Sequence, residues 1–190
     1  MAKKQAARST NQLRIIGGSW RGRKLSFPDG EGLRPTTDRV RETVFNWLRG
    51  ELAGARCLDL FTGSGALGLE ALSQGAAHCV FVEKNPQAMR SLKDNLEMLG
   101  CHDAELVAGD ALAYLHHTQD KFDLIFLDPP FAKDFLQQAC QLIGQQQLLN
   151  DEGLVYLESE LALDSLILPA GWQLLRNKKA GQAYFQKNEI

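Results

Sequence analysis

Long apolar runs are absent from this 190-residue chain. No stretch approaches the about 18 residues that carry a helix across a bilayer. The polar, basic start Met1 to Thr10 has no apolar segment of the kind a secretory leader needs. The expected setting is the cytoplasm, with no membrane partner. Cysteine is scarce and scattered: Cys57, Cys79, Cys101 and Cys140 form no C-x-x-C pair. That removes zinc ribbons and dithiol redox centres and leaves reduced, mostly buried thiols. His78, His102, His116 and His117 show no ligand spacing either, because adjacent residues on a helix point apart, so no metal is expected. Low-complexity tracts, internal repeats and long linkers are missing too. What remains is an ordinary globular composition at a length that fits one core domain, able to bury roughly 70% of its unfolded surface.

Charge is nearly balanced overall, at a net -2, but it is unevenly placed. Residues 1 to 41 hold ten Lys or Arg against Asp29, Glu31 and Asp38, a net +7, so the remainder carries -9. A basic arm on an acidic body points to a polyanionic partner held at one end. Within the arm, Arg14, Arg21, Arg23 and Lys24 are interleaved with Ile15, Ile16, Trp20, Leu25 and Phe27. Basic side chains beside an aromatic suit phosphate contacts and base stacking.

The arm reads as a small hairpin: a strand at Leu13 to Ile16, a turn at Gly17-Gly18, and a second strand at Arg23 to Phe27. A helix follows, capped by Thr37 or Asp38, with Val40, Val44, Trp47 and Leu48 on one face. From Arg56 onward strand and helix patterns alternate, which predicts a doubly wound, mostly parallel sheet. The strands are placed at 56–60, 78–83, 104–108, 122–128, 153–159, 171–177 and 182–187. Helices are placed at 66–74, 86–99, 111–117, 134–147 and 161–166. The last two strands read as an antiparallel hairpin joined at Lys178 to Gly181.

The chain is organised around Asp59-Leu60-Phe61-Thr62-Gly63-Ser64-Gly65-Ala66-Leu67-Gly68, a strand, glycine turn and helix. Its glycines open the main chain to a ligand at the N–H groups of a helix start, where a negative group is expected. Gly63, Gly65 and Gly68 also satisfy the dinucleotide pattern G-x-G-x-x-G, and Glu83 stands where a ribose-binding carboxylate belongs in either case. Two features favour S-adenosylmethionine over NAD. Asp59, directly before the turn, would repel a pyrophosphate and attract an amino acid's ammonium. Asp128-Pro129-Pro130-Phe131 has no evident use in a dehydrogenase.

Ligands of open parallel sheets bind at the carboxyl ends of the strands. Asp59, Glu83, Asp110 and Asp128 all fall at such ends, although Asp110 is also a good helix cap. In Asp128-Pro129-Pro130-Phe131 the prolines stiffen the loop, and the Asp128 carboxylate and Pro129 carbonyl become fixed acceptors. Together they can grip both hydrogens of an amino group while Phe131 stacks on the ring that bears it. This turns a conjugated lone pair toward the sulfonium methyl and stabilises the positive charge that develops on nitrogen.

On these residues, 55 to 131 resemble a class I S-adenosylmethionine-dependent methyltransferase with the D-P-P-[FY] signature of amino-nitrogen methylation. The whole chain is similar to the RsmD family, through Arg14 to Gly18, Arg21 to Arg23, Arg34 to Glu42, Asp59 to Gly68, Val82 to Asn85 and Asp128 to Phe131. The resemblance implies a Rossmann-like seven-stranded α/β fold with an N-terminal hairpin, divided as an RNA-binding extension over 1–33 and a methyltransferase domain over 34–190. It implies S-adenosylmethionine as cofactor, with S-adenosylhomocysteine as product. Asp59, Gly63 and Gly65 would lie around the methionine part, Glu83 at the ribose hydroxyls and Asp110 at the adenine amine, with Phe61, Thr62, Lys84 and Ala111 also in the cofactor site. Asp128, Pro129 and Phe131 would hold the target amine. The substrate implied is the N2 amine of one guanine in 16S ribosomal RNA, within an assembling or assembled small subunit. Arg14, Trp20, Arg21, Arg23, Lys24, Arg34 and Arg39 would contact that RNA, and the protein would act as a monomer.

Four other readings stay open at this point. The same four-residue device serves DNA adenine and protein glutamine methylation. An NAD-dependent oxidoreductase is compatible with the glycines, and a non-catalytic RNA-binding assembly factor could retain the fold.

Overall fold

A computed structural model of the protein describes residues 10–29, 37–129, 133–158, 167–176 and 186–188. Strands β1 (Thr10–Arg14) and β2 (Lys24–Pro28) pair antiparallel as a separate hairpin. The main sheet comprises β3 (Arg56–Asp59), β4 (His78–Glu83), β5 (Ala104–Ala108), β6 (Phe122–Leu127), β7 (Leu149–Leu157), β8 (Trp172–Leu174) and β9 (Gln186–Asn188). The helices are α1 (Asp38–Trp47), α2 (Ala66–Ser73), α3 (Pro86–Leu99), α4 (Ala111–His117) and α5 (Lys133–Gln145).

The main sheet runs in the order β5-β4-β3-β6-β7-β9-β8. Its first five strands are parallel, and β9 lies antiparallel to both neighbours. Chain order reverses beside β3, which has β4 on one side and β6 on the other, so the loop after β3 opens at the switch point. This is the doubly wound, seven-stranded sheet expected from the alternating pattern.

Side-chain alternation gives the sheet two apolar faces. One carries Cys57, Cys79, Phe81, Leu124, Phe126 and Tyr156, packed with residues of α1, α2, α3 and the hairpin. The other carries Leu58, Val80, Ile125, Val155 and Leu157, packed under α4 and α5. Helix boundaries follow local chemistry. Asn85 caps α3 by accepting from the Gln87 and Ala88 N–H groups, Pro86 occupies its first turn, and Gly100 closes it in the left-handed conformation.

The structure departs from the sequence expectation in three places. Gly17-Gly18 is not the hairpin turn, because β1 ends at Arg14 and β2 begins at Lys24. The Gly17 to Trp20 stretch instead lies against α2, and Gly22 and Arg23 return to bond with Ile15. Against α2, Gly18 has φ +72, and a Cβ on it would stand 1.7 Å from the Ser73 carbonyl oxygen, so only glycine fits. Next, β7 starts at Leu149 rather than 153. Leu149 pairs with Phe122 and Leu154 pairs with Leu124, so the polar Asn150 to Gly153 segment bulges between two buried leucines. Lastly, β8 covers Trp172–Leu174 and β9 covers Gln186–Asn188, one residue past the expected end, while 177 and 182–185 lie outside the described residues; the antiparallel pairing agrees. The helix expected at 161–166 and the turn at Lys178 to Gly181 lie outside the described residues.

Candidate active site at the strand ends

The turn after β3 is closed by its own chain. Gly65 has φ 79 and acts as the left-handed N-cap of α2. Gly68 sits within α2 against β4, where a Cβ would meet the Phe81 ring at 2.3 Å. Small residues therefore let helix and sheet approach closely. Asp59 is buried at the end of β3. Its Oδ2 accepts the Gly68 N–H at 3.0 Å. Burial pushes its carboxyl up to about 7; the Gly68 N–H opposes that rise and the charge of Glu83 adds to it. Thr62, also buried, donates its Oγ1–H to the Asp59 carbonyl at 2.8 Å. Phe61 is half-buried, with its ring edge-on to Phe135 at 6.4 Å between centroids.

Glu83 closes β4 and binds the turn directly. Its two oxygens accept the Gly63 N–H at 2.7 Å and the Asn85 N–H at 2.6 Å. Protein carboxylates thus take the N–H groups of Gly63 and Gly68, two of those expected to meet a ligand anion. Negative charge does favour this helix start, but the chain supplies it. Each oxygen of Glu83 keeps a second lone pair, so the carboxylate is held in place and can still accept from a diol. Lys84 beside it is exposed.

Asp110 caps α4 by accepting the Ala113 N–H at 3.0 Å. The cap occupies one oxygen and leaves acceptor capacity beside Ala111, which is buried.

Asp128 follows β6, and both it and Pro129 are half-buried. Pro130 and Phe131 lie outside the described residues. At the next strand end, Glu158 donates its N–H to the Leu127 carbonyl at 2.8 Å. Leu127 pairs with Leu157 and Phe126 with Tyr156, which sets Glu158 beside Asp128 in the register. The Phe126 and Tyr156 rings meet edge-on at 6.2 Å on one face of the sheet. Alternation carries Asp128 and Glu158 to that same face, which is also the face of Asp59 and Glu83. Tyr156, fully buried, donates its phenol to Glu158 Oε2 at 2.9 Å. Its O–H is held well above the usual tyrosine range by burial, then by the charges of Glu158 and Asp128. Glu158 was not among the residues expected from sequence. The signal for it is the one that marks Asp59, Glu83 and Asp128, an acid closing an apolar run.

The structure brings the arm onto α2. Glu70 of α2 is buried and accepts the Ile16 N–H at 3.0 Å, the Gly17 N–H at 2.7 Å and Gln74 Nε2 at 2.7 Å. Arg41, fully buried, reaches Glu70 at 3.3 Å, Asp38 at 2.6 Å and the Arg14 carbonyl at 2.8 Å. Arg41 is thus one of the ten positive residues of the N-terminal segment, yet it is enclosed and adds nothing to a polyanion surface. Ser73 accepts the Trp20 N–H at 3.0 Å and donates to the Gly17 carbonyl at 2.6 Å. Trp20 is half-buried against the core. Arg14 is exposed and 3.6 Å from Asp38. Arg23 donates to the Met98 carbonyl at 3.1 Å. Arg21, Lys24 and Arg39 are exposed, while Arg34 lies outside the described residues.

Among the described residues no cluster of His, Cys, Asp or Glu could hold a metal ion, and no helix is long and apolar enough to cross a membrane. Cys57, Cys79 and Cys140 are buried and unbridged, with Cys57 and Cys140 pushed up to about 12 chiefly by burial. They are inert packing groups.

The family model described as Conserved hypothetical protein 95 matches residues 13–187. The chain is 45% identical over 184 residues to Ribosomal RNA small subunit methyltransferase D of Escherichia coli (strain K12), covering 97% of this chain and 93% of that protein. It is 43% identical to the protein of that name from Haemophilus influenzae, covering 95% of each. The solved structure of Escherichia coli yhhF superposes with a TM-score of 0.85 at 44% identity, covering 95% of this chain and 99% of that one. The Thermus thermophilus 16S rRNA N2 G1207 methyltransferase (RsmC), solved with AdoMet and guanosine, has a TM-score of 0.73 over 97% of this chain and 51% of that one. At 23% identity that likeness shows the fold alone. With the strand-end carboxylates, the glycine turn and near full-length likeness in agreement, the chain belongs to the RsmD family of ribosomal RNA small subunit methyltransferases.

Proposed function

We propose that this protein transfers a methyl group from S-adenosylmethionine to the exocyclic N2 amine of a guanine in 16S ribosomal RNA of the small subunit, acting as a monomer. The observation that carries the reading is the placement of Asp128 and Pro129 beside Asp59 and Glu83, at neighbouring strand ends around the switch point. The names of the full-length relatives supply the ribosomal RNA.

The donor groups of the cofactor, an ammonium, a ribose diol and an exocyclic amine, suit the acceptors present. Asp59, Glu83 and Asp110 are acceptors at successive strand ends. Asp59 is a buried carboxylate whose charge an ammonium would stabilise. Phe61, Thr62, Gly63 and Gly65 would line the methionine end, Lys84 the ribose side and Ala111 the adenine side. When bound, the cofactor supplies a methyl group on a positively charged sulfur, open to attack by a neutral amine.

An exocyclic purine amine is a weak nucleophile because its lone pair is conjugated with the ring. The Asp128 carboxylate and Pro129 carbonyl accept its two hydrogens, turn the lone pair out of conjugation and stabilise positive charge on nitrogen. Phe131 would stack on the base. Arg21, Lys24 and Arg39, exposed along the arm and α1, would contact phosphates, with Arg14, Arg23 and Arg34 beside them. Trp20 would contribute its exposed edge.

The test is transfer of labelled methyl from S-adenosylmethionine to small ribosomal subunits that lack their native methylations, followed by nucleoside mass analysis. Label in N2-methylguanosine is expected. Cofactor binding without label in that nucleoside would overturn the reading and favour an assembly factor or another amine substrate.

A further inference from the structure

The site contains a second acid that the amine-gripping account does not use. Glu158 closes β7 in register with the residue that closes β6, and its N–H is bonded to the Leu127 carbonyl at 2.8 Å. Its carboxylate is not a mobile surface group, because the buried Tyr156 phenol holds Oε2 at 2.9 Å from beneath. Glu158 is half-buried, as Asp128 is, and the register sets the two strand ends side by side on one face of the sheet.

Purines and pyrimidines differ in what stands beside their exocyclic amine. In guanine the N2 amine neighbours N1–H, so the edge offers two adjacent donors. In adenine and cytosine the neighbour of the amine is a bare ring nitrogen, an acceptor. We infer that Glu158 is a specificity-determining residue that accepts the N1–H of the target guanine while Asp128 and Pro129 hold N2. The inference rests on the methyl-transfer reading above and deepens it, by assigning the choice of base to a named carboxylate. Tyr156 is then a positioning residue that acts through Glu158. A base with an acceptor at this position would leave the buried face of Glu158 opposed by a lone pair, and sites built around a substrate N–H reject analogues lacking it strongly.

The test uses reconstituted small subunits carrying either guanine or 2-aminopurine at the methylated position. 2-Aminopurine keeps the 2-amine but has an acceptor at N1. The wild-type protein should prefer guanine in kcat/KM by at least about tenfold. Glu158→Gln should reduce that preference about tenfold or more, because the amide can turn its NH2 toward the N1 acceptor. Tyr156→Phe, nearly isosteric in the core, should reduce it by a smaller factor while leaving the fold intact. Melting temperature and S-adenosylmethionine affinity, measured on each variant, separate these effects from misfolding. An unchanged guanine preference in both folded variants overturns the role of Glu158 and leaves methyl transfer standing. A wild-type protein inert toward guanine overturns the methyl-transfer reading itself, and the base-choice inference with it.

Discussion

Asp59 and Glu70 are both carboxylates buried against α2, yet their surroundings are opposite. Glu70 is satisfied from within: two backbone N–H groups, the Gln74 amide and the Arg41 guanidinium converge on it. Asp59 has one donor, the Gly68 N–H, and burial, with a smaller push from the charge of Glu83, raises its carboxyl to about 7. A buried acid surrounded by donors belongs to the fold. A buried acid held by one backbone N–H, with its carboxyl raised by burial, marks where a cation from outside the chain fits. The same helix thus carries a structural joint and one wall of a binding site.

The contrast is broken most severely from the Glu70 side. Glu70→Ala leaves the buried Arg41 with only the half-exposed Asp38 as counter-ion and removes the acceptor of the Ile16 and Gly17 N–H groups, and the expected loss is about 3–5 kcal/mol in denaturant unfolding. A loss below about 1 kcal/mol would show that the joint is dispensable.

Asp59→Asn should do the reverse in the absence of cofactor. The folded carboxyl is raised above the unfolded value of about 3.9. The folded state therefore binds the proton more tightly, and stability falls as pH rises from about 4 to 7. Removing that charge should stabilise the chain by at most about 4 kcal/mol above pH 7 and by nothing near pH 4. The same variant should lose S-adenosylmethionine affinity, whereas wild-type affinity should climb between about pH 6 and 8 as Asp59 ionises. Destabilisation of Asp59→Asn at about pH 8 would place Asp59 with Glu70 as a residue of the fold.

Asp128→Ala should retain cofactor affinity while methyl transfer drops more than tenfold, about 1.4 kcal/mol or more of transition-state stabilisation. Turnover at the wild-type level would exclude Asp128 as the amine acceptor. The smallest effect is expected on the arm. Replacing Arg21 and Lys24 by Gln should weaken RNA binding and flatten its dependence on log salt by roughly 0.7–0.9 for each phosphate no longer neutralised, with cofactor binding unchanged. An unaltered slope would remove these two side chains from the RNA-binding surface.

Much of the strand-end site was legible in the sequence because its physics is local. An apolar run, an acid and a turn place Asp59, Glu83 and Asp128 at carboxyl ends without knowledge of which strands pair, and Pro86 and Gly100 bound α3 for equally local reasons. The joint was not legible. A glutamate within a short helix reads as a solvated residue, and only the packed sheet shows α2 to be buried from Ala66 to Ser73. Arg41 was masked by its company, since one arginine in a basic segment carries no sign that it turns inward. Gly17-Gly18 has turn chemistry, and whether such a pair turns a hairpin or admits a neighbouring helix depends on residues far along the chain. Glu158 carried the same local signal, an acid closing an apolar run, but the strand expected to 159 enclosed it, and its adjacency to Asp128 exists only once β6 and β7 are in register.

The bond from Arg41 to the Arg14 carbonyl spans 27 residues, and that from Ser73 to the Gly17 carbonyl spans 56. The hairpin segment therefore leaves the ribosome before α2, against which Gly17 to Trp20 dock, by several seconds at about 5–20 residues per second. Local pairing of β1 with β2 is fast, but a lone hairpin is marginal in water. Closing the joint must await long-range loop closure, which slows folding more than it alters final stability. Synthesis order and docking order are consequently reversed at this end of the molecule, and the basic segment spends its first moments as an unanchored polycation.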